Sequence, residues 1–346
     1  MSLRLLLGLL LLACLVPSLP ARAAAVCTAT ADALLPFGNV NSGAAGPTSG
    51  TLNITVTCTT AALSLLATTG VRVCVGIGNG TGGSTTTPWR TMVNGSGDTL
   101  NFQLYNTSNY SQVTGLTPRG VPPAQELTMT YNVPLLTGGS GAQSVQLFAQ
   151  IPANQVLASG SYSSTFSGAS VVLTWAWNEV LLGNATVPAT CNGGATGTNT
   201  ASNAFTFNAT ANVLPQCGSY LTTTMNFGNV TGGIPANIDQ TATLTLTCLK
   251  RTAFQISLDN GQNNPALSST RRMRTTIGSN NYYLTYELYR DAARSQRWGN
   301  TLNVDTFSGV GTGSAQPLTI YGRVPPVSGQ PPAGTYNDLV QVTITY

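Results

Sequence analysis

Two cysteine pairs with one internal layout, 190 residues apart, constrain what this 346-residue chain can fold into. Cys27, Phe37-Gly38-Asn39-Val40 and Cys58 recur as Cys217, Phe227-Gly228-Asn229-Val230 and Cys248. Both pairs are 31 residues apart, and each Phe-Gly-Asn-Val segment begins ten residues after the first cysteine. Three anchors kept in register over that distance mark an internal duplication. Further pairs follow along the two copies. Asn79-Gly80 answers Asn260-Gly261, Leu100 to Tyr105 answers Leu284 to Tyr289, and Gly160-Ser-Tyr162 answers Gly334-Thr-Tyr336. The chain therefore holds two domains of ordinary size.

The N-terminus sets the compartment. Arg4 precedes an apolar run, Leu5 to Leu12, too short to span a bilayer, and Ala21-Arg-Ala-Ala-Ala25 offers small-residue cleavage sites. This reads as a secretory signal peptide over residues 1–25. A lipoprotein signal with Cys14 as the lipidated residue is the competing reading, weakened by how short its apolar stretch would be. Removing the signal leaves six cysteines, an even number that in an exported chain reads as disulfides. Symmetry between the copies predicts Cys27–Cys58 and Cys217–Cys248, and elimination leaves Cys74–Cys191.

Outside the signal, no window keeps a 3.6-residue apolar repeat. Apolar and polar residues alternate instead, as in Leu52, Ile54, Val56 and Cys58, broken by Gly, Asn and Pro. Period-two runs bounded by such residues are short antiparallel strands and turns. The expected fold is all-β: two tandem Ig-like, Greek-key β-sandwich (barrel-like) domains, over 26–203 and 204–346.

Composition removes most chemistry. Charged residues make up 7% of the chain, against about 25% in ordinary proteins. There is no histidine, which excludes His-based triads and His metal sites. With six cysteines paired, no thiol nucleophile is left, and the glycine-rich runs lack the Lys-Ser/Thr of a phosphate loop. The first copy offers Asp32, Asp98, Glu126 and Glu179 as carboxylates, and Asp98 sits in a Gly-Ser-Gly-Asp turn where a capping role fits best. The chain reads as a non-enzyme without cofactor or metal. Arg271, Arg272, Arg274, Arg290, Arg294 and Arg297 cluster in the second copy. In an exported protein of small net charge they suggest an exposed loop or a subunit contact, with no nucleic-acid partner.

The two copies differ at their ends. The second stops at Thr343-Ile-Thr-Tyr346, the counterpart of Val172-Leu-Thr-Trp175, whereas the first runs on for about forty residues before Cys217. In that extension Phe205, Phe207, Ala209, Ala211 and Val213 alternate with polar residues, a donor-like strand within 204–214 that completes either domain. The C-terminal domain has no such material after Tyr346, so it is expected to lack its last strand and to expose core residues beside an unpaired edge.

At this point the residues carry a family likeness. The early cysteine pair, Phe-Gly-Asn-Val, Tyr321-Gly-Arg-Val-Pro325, Ala333-Gly-Thr-Tyr336 and the terminal Val-Thr-Ile-Thr-Tyr resemble the spore coat protein U domain family, which includes subunits of archaic, Csu-type chaperone–usher pili. A two-domain chain of this length looks like the tip adhesin of such a pilus. The resemblance implies a periplasmic chaperone, an outer-membrane usher and an adjacent pilin that donates a strand to the second domain. It implies export through the periplasm to the cell surface, and attachment to abiotic or host surfaces in biofilm formation. With at most three residues between the cleavage sites and Cys27, the chain is expected to accept a strand and to give none, which suits the fibre tip. Adhesive loops are then expected on the first domain, at the end farthest from the second. The nominated residues are Leu135, Leu136, Val156 and Leu157, with Trp89, Leu181 and Leu182 as lesser candidates. Two rivals stand beside this reading: a structural pilus or coat subunit, and a carbohydrate-binding lectin domain using Trp175 and Trp177 as a stacking platform.

Overall fold

A computed structural model describes residues 24–62, 66–84, 89–266 and 268–346; the signal peptide through Ala23, with Cys14, lies outside the described residues. The first copy forms β1 (Ala25–Ala31), β2 (Leu34–Val40), β3 (Thr48–Thr60), β4 (Ala67–Ile77), β5 (Arg90–Asn94) and β6 (Thr99–Tyr105). It continues with β7 (Gln125–Val133), β8 (Gly139–Ile151), β9 (Gly160–Phe166), β10 (Val171–Leu181), β11 (Gly197–Ser202) and β12 (Phe207–Val213). The second copy forms β13 (Cys217–Thr222), β14 (Ile238–Cys248), β15 (Ala253–Leu258), β16 (Arg271–Ile277), β17 (Asn280–Tyr289), β18 (Phe307–Val310), β19 (Ala315–Val324) and β20 (Val342–Thr345).

Alternation decides which way each strand faces. In β3, Leu52, Ile54, Val56 and Cys58 are buried while Asn53 and Thr59 face solvent, as the pleat requires. Two sheets enclose the first core, ordered β1-β3-β8-β6-β5-β9-β12-β2 and β11-β10-β4-β7. Cys27 lies opposite Cys58 on paired strands, and Cys217 opposite Cys248. Both couples are joined as disulfides, and Cys74–Cys191 is the third. That third bridge ties β4 to the loop after β10, an element with no counterpart in the second copy.

The segment before Cys217 serves the first domain. β12 runs antiparallel to β9 and parallel to β2, closing the ladder between them. Regular strand begins at Phe207, later than the alternation alone suggests, because Ala204 is taken by a backbone bond to Val171. Phe205, Phe207, Ala209, Ala211 and Val213 are all buried in the first core, and Phe207 stacks on Phe166 at 4.4 Å. Burying these five side chains contributes roughly 5–12 kcal/mol, an upper bound.

The second domain repeats most of this ladder and then stops. Its sheets run β13-β14-β19-β17-β16 and β18-β15-β20. Matched strand for strand, the large sheet ends where β9, β12 and β2 should follow. The counterpart of β9, residues 334–340, and that of β2, residues 224–230, are present as chain, but neither forms a strand. A β12 equivalent is absent between them among the described residues.

Candidate functional site

Where the ladder stops, the second domain holds a groove of about 320 Å³. Met225 and Phe227 line one wall, Tyr336, Asp338 and Val340 the other, and Leu258, Tyr286, Leu288 and Ile320 lie between them. The duplication shows what is missing. In the first domain Leu35, Phe37, Val40, Tyr162 and Phe166 are buried beneath β12. Their counterparts Met225, Phe227, Tyr336 and Val340 are half-buried. Val40 is 3% exposed whereas Val230 is 47% exposed. Apolar side chains held half in water are a large liability for a free surface.

Polar groups fix the far wall. Asp338 Oδ2 accepts from the Tyr286 hydroxyl (2.8 Å), and Oδ1 accepts from the backbone and side-chain nitrogens of Asn263 (3.2 and 2.9 Å). Burial and this carboxylate push the Tyr286 phenol far above its ordinary value, so it stays a donor. Gly261, at positive φ, leaves the room Asp338 occupies; a Cβ there would fall 1.9 Å from Oδ2. In the first domain Gly80 makes the same room for Ser164. Tyr162 and Tyr336 each donate a hydroxyl to the carbonyl four residues back, Ala158 and Pro332 (2.8 and 2.9 Å).

A second candidate region lies at the end of the first domain where β7 passes into β8. Val133, Ala67 and Leu181 share one row of the smaller sheet, and Leu182 bonds through its amide to Leu66 (2.9 Å). Leu66, Leu135, Leu136, Leu181 and Leu182 are thereby brought to the same end, all exposed, with Leu136 at 78%. Leu136 and Leu182 also have left-handed backbones, φ 68° and 55°. That conformation favours glycine or asparagine over leucine, so the turn itself does not explain these side chains. Trp89, at the entry to β5, is half-buried.

Val156 and Leu157 do not belong to this end, and the expectation for them is corrected. They follow β8 at its opposite end, some thirteen residues or about 40 Å away. There they face the second domain across a cavity of about 480 Å³ lined also by Gly97, Asp98, Leu249 and Lys250. Val156 is 88% exposed, but Leu157 is buried at 4%.

The same junction corrects the reading of Asp98. Asn94 caps the turn, accepting from the amides of Ser96 and Asp98. Asp98 instead pairs with Lys250 (2.7 Å) and Arg251 of the second domain, and Ser159 donates its amide to the Lys250 carbonyl (3.0 Å). The Arg251 and Lys250 hydrogen bonds hold the Asp98 carboxyl well below the usual carboxylate range.

Arg274 is exposed, but for four other members of the arginine cluster the expectation is likewise corrected. Arg271 is wholly buried; it donates to the carbonyls of Asp259, Leu258 and Trp298 (2.8 Å each) and pairs with Glu287. Arg297 pairs with Glu287 and Asp305, Arg294 with Asp239, and Arg290 donates to the Thr306 carbonyl. The first domain repeats the arrangement with Arg90, which donates to the carbonyls of Gly78, Ile77 and Thr114 and to Gln103. A planar five-donor fork is the side chain that can satisfy several diverging carbonyls at once. The alignment of Asn79-Gly80 with Asn260-Gly261 places Arg90 opposite Arg271 in the sequence itself.

Trp175 and Trp177 share a face, but both are buried in the first core, and Trp175 Nε1 donates to the Ala25 carbonyl (2.7 Å). They offer no stacking platform. A hollow of about 680 Å³ beside β4 and β5 has Arg90 and Gln103 at its polar part, already engaged with each other. Cys74, Cys191 and Glu126 lie close together, but the two sulfurs are bonded to each other and are not free as ligands.

A family model, the Spore Coat Protein U domain, matches residues 14–168 and 203–343. Protein U of Myxococcus xanthus is 37% identical over 134 residues, covering 36% of this chain and 72% of that protein. Among solved structures, a CsuC–CsuE chaperone–tip adhesion subunit pre-assembly complex from archaic chaperone–usher Csu pili of Acinetobacter baumannii is similar at 17% identity. It covers 93% of this chain and 100% of that one, with a TM-score of 0.40. The CupB6 tip adhesin from Pseudomonas aeruginosa is similar at 11% identity over 94% of each chain, with a TM-score of 0.32. Neither likeness, at these scores, assigns a function.

Proposed function

We propose that this chain, which belongs to the Spore Coat Protein U domain family, is the tip adhesin of a chaperone–usher pilus. The observation that carries this reading is the contrast between two copies of one fold. The first fills its own ladder with β12, and the second leaves the same place open as an apolar groove. A groove flanked by unpaired backbone is what an extended strand from another chain completes, giving main-chain hydrogen bonds and side-chain pockets together. The second domain is thus the acceptor of a strand from the adjacent pilin, after a periplasmic chaperone has held it and an outer-membrane usher has exported it. Because the first domain needs nothing from outside, it is free to carry the contact surface. Leu66, Leu135, Leu136, Leu181 and Leu182 form that surface at the end away from the pilus, and attach to abiotic or host surfaces in biofilm formation. The chain acts at the cell surface and has no catalytic role.

Two experiments test the two halves of this reading. Residues 26–346 are produced in the periplasm with and without the N-terminal extension of a neighbouring pilin fused after Tyr346. A chain that aggregates alone and becomes a stable monomer with the fusion supports the acceptor; equal stability both ways contradicts it. Leu135→Thr with Leu136→Thr is expected to abolish attachment of piliated cells to plastic. Unchanged attachment would remove that loop from the contact surface.

A further inference from the structure

The open groove also specifies the side chains of the strand that fills it, an inference that rests on the acceptor reading above. β12 is a template for the missing strand, because the walls it contacts have counterparts in the second domain. Against β9, Phe207 lies opposite Phe166, Ala209 opposite Ser164, Ala211 opposite Tyr162 and Val213 opposite Gly160. Against β2, Ala209 lies beside Leu35 and Val213 beside Val40. Transferred to the second domain, these four positions meet Val340, Asp338 with Met225, Tyr336, and Gly334 with Val230.

The substitutions between the copies change the space at each position. Phe166 becomes Val340, which removes a ring and widens the groove where Phe207 would sit. Ser164 becomes Asp338, and Leu35 becomes Met225, which narrows it where Ala209 would sit. Asp338 also adds a carboxylate already held by Tyr286 and Asn263, and a large apolar side chain there would strip its remaining water without offering a partner. Tyr162 stays a tyrosine, so the next inward position keeps its small occupant.

We infer that the second domain selects an extended segment running antiparallel to residues 334–340, with inward side chains in the order large, small, small, β-branched. The large residue covers Val340, and a Gly, Ala or Ser lies against Asp338 and Met225. Asp338 is the specificity-determining residue of this groove.

The test appends a second copy of residues 204–214 after Tyr346 of the 26–346 chain. A Gly/Ser linker of about ten residues, spanning about 17 Å, is long enough to return to the start of the groove. Thermal melting is compared for this chain, for Ala209→Leu and Asn208→Leu in the appended copy, and for the chain with no appended strand. The expected result is a rise in Tm of at least ~10 °C with the appended copy. Asn208→Leu, on the outward face, keeps that rise, and Ala209→Leu loses most of it. Replacing Asp338 with Ser, as in the first domain, restores part of it. If Ala209→Leu stabilises as well as the parent copy, the size order is overturned while the acceptor reading stands. If the native pilin extension stabilises but no version of the appended copy does, the template is wrong. If neither raises the Tm, the acceptor reading itself falls.

Discussion

Leu34–Val40 and residues 224–230 are equivalent stretches of the two domains, share Phe-Gly-Asn-Val, and differ in state. The first is a strand, with Leu35, Phe37 and Val40 buried; the second is irregular, with Met225 and Phe227 half-buried and Val230 exposed. Local sequence does not account for this. In the sheet order, β2 has one neighbour only, β12, and among the described residues the second domain has no strand in that place. Strand formation at an edge therefore depends on a partner far away in sequence, and residues 224–230 lack the neighbouring strand that β12 gives β2. The same holds on the other wall, where β9 is regular and residues 334–340 are not.

That contrast can be broken in several ways, beginning with the largest effect. Replacing Cys74 and Cys191 by Ser removes the bridge found only in the first domain. It should destabilise that domain by about 4–5 kcal/mol in the chain-entropy model and leave the second transition unmoved. Urea unfolding read by peptide-resolved hydrogen exchange separates the two.

Phe207→Ala is next. It deletes a buried ring stacked on Phe166 and should cost about 3–5 kcal/mol. Val340→Ala, across the unfilled counterpart of the same contact, should cost about 1 kcal/mol or less, because that side chain is already half in water. Equal losses at the two positions would mean the groove is closed in solution.

The junction between the domains should respond weakly and in a defined direction. Asp98 has a depressed folded-state pKa, so its contribution is fully present above the ordinary carboxylate value of about 3.9 and fades only as pH falls through the lower folded value. Small-angle scattering should therefore give one interdomain arrangement at about pH 7 and about pH 4.5, and Asp98→Asn should loosen it at both. Because Lys250 and Arg251 are solvent-accessible, raised salt should soften the same contact. The smallest effect on stability belongs to Leu135→Thr and Leu136→Thr, expected within ~0.5 kcal/mol of the parent because both side chains are exposed.

Much of this organisation is legible in the residues. The duplicated anchors predict the cross-strand disulfides, since Cys27 and Cys58 occupy directly opposed positions. The shared anchors also predict that the two domains follow one strand order, and β13-β14-β19-β17-β16 repeats β1-β3-β8-β6-β5. What alternation does not reveal is which domain a strand joins. Phe205 to Val213 reads as an amphipathic strand in either place, and its pairing with β9 on one side and with β2, more than 160 residues earlier, on the other decides it. Arg90 and Arg271 escape for a related reason. A charged residue in a strand reads as solvent-facing, and the carbonyls that justify its burial come from the ends of other strands, Ile77 of β4 and Leu258 of β15, and from the loops beyond them. Leu157 had a local signal. Adjacent residues in extended chain face opposite ways, so Val156 and Leu157 were poorly suited to share one exposed surface. Asp98 reads as a turn residue because its partners, Lys250 and Arg251, lie in the other domain.

The most direct measurement is amide hydrogen exchange on residues 26–346, comparing residues 34–40 and 160–166 with their counterparts 224–230 and 334–340. The account predicts strong protection in the first pair and fast exchange in the second, apart from the Asn337 amide, which bonds to the Arg274 carbonyl (3.0 Å), with protection spreading through the second when a donor strand is fused after Tyr346. Equal protection of both pairs in the unfused chain would contradict it, because the second domain would then be closing its own ladder.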